Sequence, residues 1–219
     1  MHTVFNALFF VLIGHLMISS VRKHWPERYF LWKIWSGFRP LMLLETLVLL
    51  TVTIAAAVSL YDLGRPFTWG WYRLLTGHGG NMGIQPILDA GRSGYVLLLI
   101  AALGLLAMLL VLIPFFARSE EIEFRKGRET WKQILPTSVK FGLIHMIVGV
   151  PLAVGLALSL PGAFFAWKYK RAVAQVTRSD QDLSLESVRM IGVVRSTTYH
   201  ALYNTILVLM IFFTLALVS

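Results

Sequence analysis

Five long apolar stretches are the first constraint on how this chain folds. Most of them reach or exceed the ~18 residues that can span a bilayer. Only 14% of the 219 residues are charged, against roughly 25% in a soluble domain. We therefore predict an all-α, polytopic integral membrane helical bundle rather than a soluble helical protein. The stretches are Val4–Val21, Leu41–Tyr61, Tyr95–Ala117, Phe141–Trp167 and Thr197–Val218.

The stretch Phe141–Trp167 contains 27 residues without a charged side chain. A single helix of that length would be about 40 Å long, whereas the bilayer core needs ~30 Å and two complete spans need roughly 40 residues. We predict a tight hairpin near residues 149–151, in which Gly149 and Pro151 favour a turn. One kinked span is the alternative. The hairpin gives about six membrane segments in a single membrane-embedded domain, residues 1–219, with a motif-bearing core at about 95–219.

The distribution of basic residues favours the hairpin and predicts the orientation. With a hairpin, 17 of the 20 Lys and Arg residues lie on one side of the membrane and 3 on the other; one kinked span would give 11 and 9. Basic residues concentrate on the cytoplasmic side. We therefore expect the N-terminus and residues 62–93 outside, and the basic segments inside. Those basic segments are residues 22–40, 118–140 and 168–196.

The remaining composition narrows the compartment and the partners. No Lys or Arg precedes Val4–Val21 and Arg22-Lys23 follow it, the reverse of a signal peptide, so we predict a retained first span. Residues 22–40 combine basic and aromatic side chains, which favours a helix in the headgroup plane, with a partner-docking surface as the alternative. The net charge is +9, and the basic residues behind it flank the apolar runs. This position indicates membrane lipids rather than nucleic acid as partner. Without cysteine, no disulfide or cysteine-based site exists.

Three motifs place ionisable or amide side chains at the membrane. Glu120, Glu121 and Arg125 follow the apolar run that ends at Ala117. On a helix Glu121 and Arg125 can pair at i and i+4, which leaves Glu120 for chemistry. His145 follows Phe141 by four residues, and Asn204 follows His200 by four. Carboxylates and histidines at such depth are costly and usually functional.

In this order, Glu-Glu-x-x-x-Arg, Phe-x-x-x-His and His-x-x-x-Asn resemble the CAAX-protease and bacteriocin-processing (Abi) family of intramembrane endopeptidases. The resemblance covers residues 119–204. One departure is Lys126, which separates the arginine from Gly127, whereas in many members the glycine follows directly.

The resemblance implies a role for each motif residue. Glu120 would be the general base that activates water, and His145 would help to hold or deprotonate that water. His200 and Asn204 would stabilise the oxyanion, with Glu121 and Arg125 in support. The expected protein is a multi-pass endopeptidase in the plasma membrane of a prokaryote. It would cut a membrane-associated protein or peptide near the cytoplasmic face and need no cofactor.

Other interpretations remain open at this stage. The charges around residues 118–129 can form a solvated helix end, and His145 and Asn204 can serve helix packing. Two histidines with glutamates can bind zinc, although no His-Glu-x-x-His helix is present. A non-proteolytic membrane scaffold or immunity-type factor is the alternative function, and a transporter subunit a third. His15 and Glu45 are either further site residues or polar packing groups, which is the commoner role.

Overall fold

The computed structural model describes residues 15, 18, 19, 21–23, 25–70 and 95–218, and its described part contains helices but no strands. Two short 3₁₀ turns, Trp25–Glu27 and His145–Val148, accompany the α-helices named next, and residues 21–23 are also helical. The helices are α1 (Phe30–Ser36), α2 (Pro40–Asp62), α3 (Tyr95–Phe124), α4 (Trp131–Ile144), α5 (Leu152–Ala157), α6 (Ser159–Ser179) and α7 (Leu185–Val218).

Three stretches in the described residues are long and apolar enough to cross a membrane. They are Pro40–Asp62, Leu152–Ser179 and Leu185–Phe213. This agrees with the predicted all-α membrane protein, while the predicted total of six segments is not confirmed. Most of the predicted span Val4–Val21 lies outside the described residues, and the predicted span Tyr95–Ala117 forms the first part of α3.

Several helices are longer than their apolar runs. Helix α3 continues through Pro114 to Phe124 and carries the first motif on its last turns. Helix α7 begins at Leu185, twelve positions before the predicted span at Thr197. A helix needs apolar side chains only where it meets lipid, so it continues where polar residues keep good helix propensity.

Pro136 does not break a helix, because α4 runs from Trp131 through it to Ile144. A capping box fixes the start of α4: the side chains of Thr130 and Gln133 each accept a backbone hydrogen bond at the helix start. Such a cap typically stabilises a helix start by about 1 kcal/mol. The helix is therefore already defined before the proline is reached.

The chain reverses direction at residues 149–151, as the hairpin prediction required. Gly149 has φ of +89°, a left-handed conformation that suits glycine. Beyond the turn, Gly155 and Ser159 lie against Gly142, while Gly162 lies against Ser138. The contact residues rise in number along α5 and α6 as they fall along α4, so these helices run antiparallel.

Contacts among the connections separate two ends of the bundle. At one end, the backbone N–H groups of Leu152 and Ala153 donate to the carbonyls of Trp69 and Phe67, at 2.8 and 2.9 Å. This end contains the 149–151 turn and the start of the 62–93 segment. The basic segments meet one another at the other end. Its contacts are Trp25 on Phe115, Arg195 with Gly37, Lys126 with Glu186, and Lys170 on Trp131.

Gly142 tests the close approach of α4 to the returning helices. A Cβ added at Gly142 would lie 2.2 Å from the carbonyl oxygen of Gly155. We therefore expect Gly142→Ala to lower the free energy of unfolding by about 1–3 kcal/mol, as overpacking does. Gly155→Ala is the matched control, because its Cβ would meet the movable Met146 side chain at 3.2 Å. Thermal unfolding in detergent measures both, and equal stability of the two variants would contradict the packing described.

Candidate functional site

The last turns of α3 hold two adjacent glutamates in different surroundings. Glu121 is completely buried, with its Oε2 3.7 Å from the Nε of Arg125. The side chain of Glu120 remains 33% exposed. The structure thus pairs Glu121 with Arg125 and leaves Glu120 near solvent, as the helix spacing suggested.

Arg125 is a buried cation held by charge and aromatic faces. Its guanidinium lies 4.3 Å from the ring centroid of Phe141 and 5.6 Å from that of Phe124. Its three nitrogens have no hydrogen-bond partner within the described residues. A cation desolvated in this way interacts strongly with a nearby carboxylate and with ring faces. We therefore expect Glu121 to be ionised, because an opposite charge favours the charged form of a carboxyl group.

The backbone turns sharply after Arg125, directly beside the site. Gly127 has φ of +76°, and its N–H donates to the hydroxyl of the buried Tyr169 at 2.8 Å. Lys126, which precedes this glycine, points to Glu186 on α7 with Nζ 2.5 Å from Oε1. The pair is largely exposed, so it is a surface contact between the turn and the start of α7.

His200 on α7 lies between the two carboxylates. Its Nδ1 is 2.9 Å from Oε1 of Glu121, and its Nε2 is 3.4 Å from Oε2 of Glu120. A carboxylate only accepts hydrogen bonds, so Nδ1 carries the proton of the contact with Glu121, and Nε2 can donate only from a ring protonated on both nitrogens. The Oε2 of Glu120 has no hydrogen-bond partner in the described part of the chain.

Aromatic rings fix the plane of His200. Phe165 on α6 stacks on it with ring centroids 4.6 Å apart and planes 20° apart. Phe141 on α4 meets it edge-on at 5.5 Å. The imidazole is 2% exposed, so its contacts with the glutamates are screened little by water.

His145 belongs to the same end of α4 but contacts the cluster through a phenylalanine. Its Nδ1 is 2.8 Å from the carbonyl oxygen of Phe141, and its ring meets that of Phe141 at 5.0 Å. A carbonyl only accepts, so Nδ1 carries the proton and the Nε2 of a neutral ring is left to accept one. The structure thus brings His145 and His200 to one phenylalanine, at the same level of the bundle.

For two further predicted residues, Asn204 and His15, the described part of the structure gives burial but no contact with the site. Asn204 lies one turn beyond His200 on α7 and is half-buried. His15 is exposed, and most of its neighbours lie outside the described residues. Their predicted roles stay predictions. In the described part of the chain, no group of three or more His, Cys, Asp or Glu side chains has a metal-binding arrangement.

Sequence reasoning missed Phe165, Tyr169 and the partner of Glu45. Glu45 on α2 accepts from Lys168 Nζ at 2.6 Å and from the hydroxyl of Tyr199. A lysine and a glutamate within apolar helices were the signal available, since such charges in membrane helices usually pair. Which of the distant cations Glu45 meets depends on the tertiary fold.

The buried Glu121–Arg125 pair predicts that two glutamates differ in how much they stabilise the fold. Glu121→Gln would leave Arg125 without its buried counter-charge, so we expect a loss of about 3–5 kcal/mol in unfolding free energy. Glu186→Gln removes an exposed partner of Lys126 and should cost less than about 1 kcal/mol. Chemical denaturation in detergent measures both losses. Equal losses would show that Glu121 is not a buried charge.

Comparisons of this chain with models of protein families, with curated proteins and with solved structures find no match.

Proposed function

We propose that this protein is an intramembrane endopeptidase in which Glu120 activates water for hydrolysis of a peptide bond. One observation carries the proposal. A partly exposed carboxylate lies beside a buried histidine that a second, buried carboxylate holds in place. The arrangement has a water-accessible proton acceptor, an oriented imidazole and a fixed counter-charge, which are the elements of general acid–base catalysis.

Glu120 is the better base of the two glutamates. Glu121 is committed to Arg125 and His200 in a dry site, so proton uptake there would leave a buried guanidinium uncompensated. Glu120 has a buried Oε2 that faces His200, so its exposure falls on the rest of the side chain, where water can bind. The base would take a proton from that water and later deliver it to the leaving amine.

His145 and Asn204 complete the proposed site. The unprotonated Nε2 of a neutral His145 would accept a hydrogen bond from the attacking water. The Asn204 amide and the Nε2 of His200 would donate to the oxyanion of the tetrahedral intermediate. The 3.4 Å separation between His200 Nε2 and Glu120 is a loose contact, and such contacts tighten when a substrate is bound.

The membrane setting of the proposal rests on the charge pattern. We place the bundle end that gathers the basic segments in the cytoplasm, because basic residues are retained there. Six membrane segments and the plasma membrane of a prokaryote are part of the proposal, the latter implied by the resemblance alone. Glu120 and Glu121 of the candidate site lie in the basic segment 118–140 that belongs to this end. The substrate would therefore be a membrane-associated protein or peptide cut near the cytoplasmic face. Neither a metal nor another cofactor takes part in the proposed reaction.

Substitution of the base tests the proposal. Glu120→Gln keeps the shape of the side chain but removes its proton-accepting charge, so cleavage should fall by about 10²–10⁴-fold. Asn204→Ala removes one oxyanion donor while His200 remains, and should cost ~10²–10³-fold. The measurement compares membrane proteomes of cells that carry each form and seeks a truncated peptide that requires the wild type.

Two controls separate this function from its alternatives. Both variants should retain the wild-type Tm, because neither residue holds a completely buried charge. Activity should persist in a strong chelator; its loss, with recovery on added zinc, would favour a metal site. Unchanged biological function of the Glu120→Gln protein would favour a membrane scaffold instead.

The proposed orientation has its own test. The natural chain lacks cysteine, so Gly79→Cys introduces a single thiol in the weakly basic 62–93 segment. We expect an impermeant thiol reagent to label it from outside intact cells, because basic residues are retained on the cytoplasmic side. Thr130→Cys, beside the cytoplasmic end of α4, is the matched control and should react only after lysis. The opposite labelling pattern would show that the bundle has the inverse orientation in the membrane.

A further inference from the structure

A second cluster of polar side chains lies between α2, α6 and α7. Lys168 on α6 donates to Oε1 of Glu45 at 2.6 Å, and the Tyr199 hydroxyl on α7 donates to Oε2 of the same carboxylate. All three helices belong to candidate membrane spans. The residues are outside the three motifs, and the proposed reaction does not use them.

The surroundings of this cluster hold its members closely. Three aromatic rings lie within 4.5–5.0 Å of Lys168 Nζ, namely those of Phe164, Trp167 and Tyr199. Lys168 is 9% exposed and Glu45 29% exposed at the side chain. Because Lys168 and Glu45 lie in apolar helices, removing the pair from water costs free energy.

Stability alone is a poor explanation for such a pair. Lys168 is nearly buried, whereas the Glu45 side chain remains 29% exposed, so desolvation of the lysine and partial solvent screening of the pair both offset the attraction. The best-attested use of buried charges is to select one arrangement of helices over others. For Glu45 that arrangement is the rotation of α7 relative to α2 and α6.

Tyr199 and His200 are consecutive on α7 and therefore point about 100° apart around the helix. Tyr199 meets Phe164 at 5.4 Å, and His200 stacks on Phe165 at 4.6 Å. Two successive pairs on α6 and α7 thus link the Glu45 cluster to the candidate site. Glu45 holds α7 on one side, and Glu121 holds it on the other.

Small rotations of α7 matter at this distance from its axis. Side-chain atoms lie about 5–6 Å from a helix axis, so a 10° rotation moves them by about 1 Å. Such a shift would take the 2.9 Å hydrogen bond of His200 Nδ1 with Glu121 beyond hydrogen-bond reach. A misplacement of about 1 Å can reduce a reaction rate by about 10²-fold.

We propose that Glu45 is a positioning residue: through Tyr199 and Lys168 it fixes the rotation of α7 that keeps His200 between Glu120 and Glu121. The inference deepens the proposed function and rests on it for its catalytic consequence. The geometric part concerns only the setting of His200 and is measurable without a substrate.

Two variants remove the Glu45 contacts in different ways. Tyr199→Phe deletes only the hydroxyl, while Glu45→Met with Lys168→Met replaces the charges by apolar side chains of similar size. We expect both to keep Tm within about 2–4 °C of the wild type, the shift that ~1 kcal/mol produces in a domain of this size. The ring ¹⁵N signals of His200 should shift or split in ¹⁵N-histidine-labelled protein in nanodiscs, with assignment by His200→Gln. The wild-type-dependent peptide should fall by about 10²-fold.

The control is Glu186→Gln, which breaks a different Lys–Glu pair, that of Lys126 with Glu186 at the exposed start of α7. It should leave the His200 signals and the peptide unchanged. Wild-type His200 signals in both Glu45-cluster variants would overturn the positioning role. So would a collapse of Tm in the double variant with Tyr199→Phe unaltered, since that assigns the cluster to stability only. If Glu120→Gln leaves the peptide unchanged, the proposed function fails, while the His200 signals still decide the positioning role.

Discussion

The buried carboxylate of Glu121 is the constraint on which the site depends. An ionised group without water must find its charge and hydrogen-bond partners inside the protein. Glu121 finds them in Arg125 on its own helix turn and in His200 on α7. These contacts fix the end of α3 against the middle of α7. Phe141 and Phe165 then bring α4 and α6 to the same point, because each lies against the His200 ring.

The course of the chain serves this meeting point. The reversal at Gly149 returns α5 and α6 along α4, so that Phe165 can reach the histidine that Phe141 also contacts. The close approach depends on Gly142, whose missing side chain leaves room for the backbone at Gly155. Tyr169 on α6 meanwhile holds Gly127, just beyond Arg125. Helices α4, α5 and α6 are thus held near the site by these contacts.

Much of the architecture follows from the sequence because lipid imposes a simple rule. Apolar length predicted α2 to within one residue at each end, Pro40–Asp62 against Leu41–Tyr61. The basic residues favoured a hairpin, and Gly149 and Pro151 predicted where the chain reverses. The rule says nothing about helices beyond the lipid, so the early start of α7 at Leu185 was missed.

The site was only partly predictable, for a different reason. Glu121 and Arg125 are four residues apart, and helix geometry alone brings them together. Glu45 and Lys168 are separated by 123 positions, so their pairing depends on how α2 and α6 pack. The stacking of Phe165 on His200 likewise depends on helix rotation, which an apolar pattern fixes only coarsely. Local geometry is therefore legible in the sequence, whereas the partners of isolated charges are not.

In the proposed reaction, two adjacent glutamates in unequal surroundings would divide the tasks of the site. A fully desolvated carboxylate is rigid and well oriented, but its counter-charges hold it ionised and keep water away. A half-exposed carboxylate keeps access to water but has little to orient it. His200 joins the two: Glu121 fixes Nδ1, which sets the ring, and the ring then presents Nε2 to Glu120. Through His200, the buried Glu121 thereby helps to orient the water-accessible Glu120. Because successive helix residues point about 100° apart, one glutamate can be buried while its neighbour reaches solvent, which two carboxylates on the same helix face could not do.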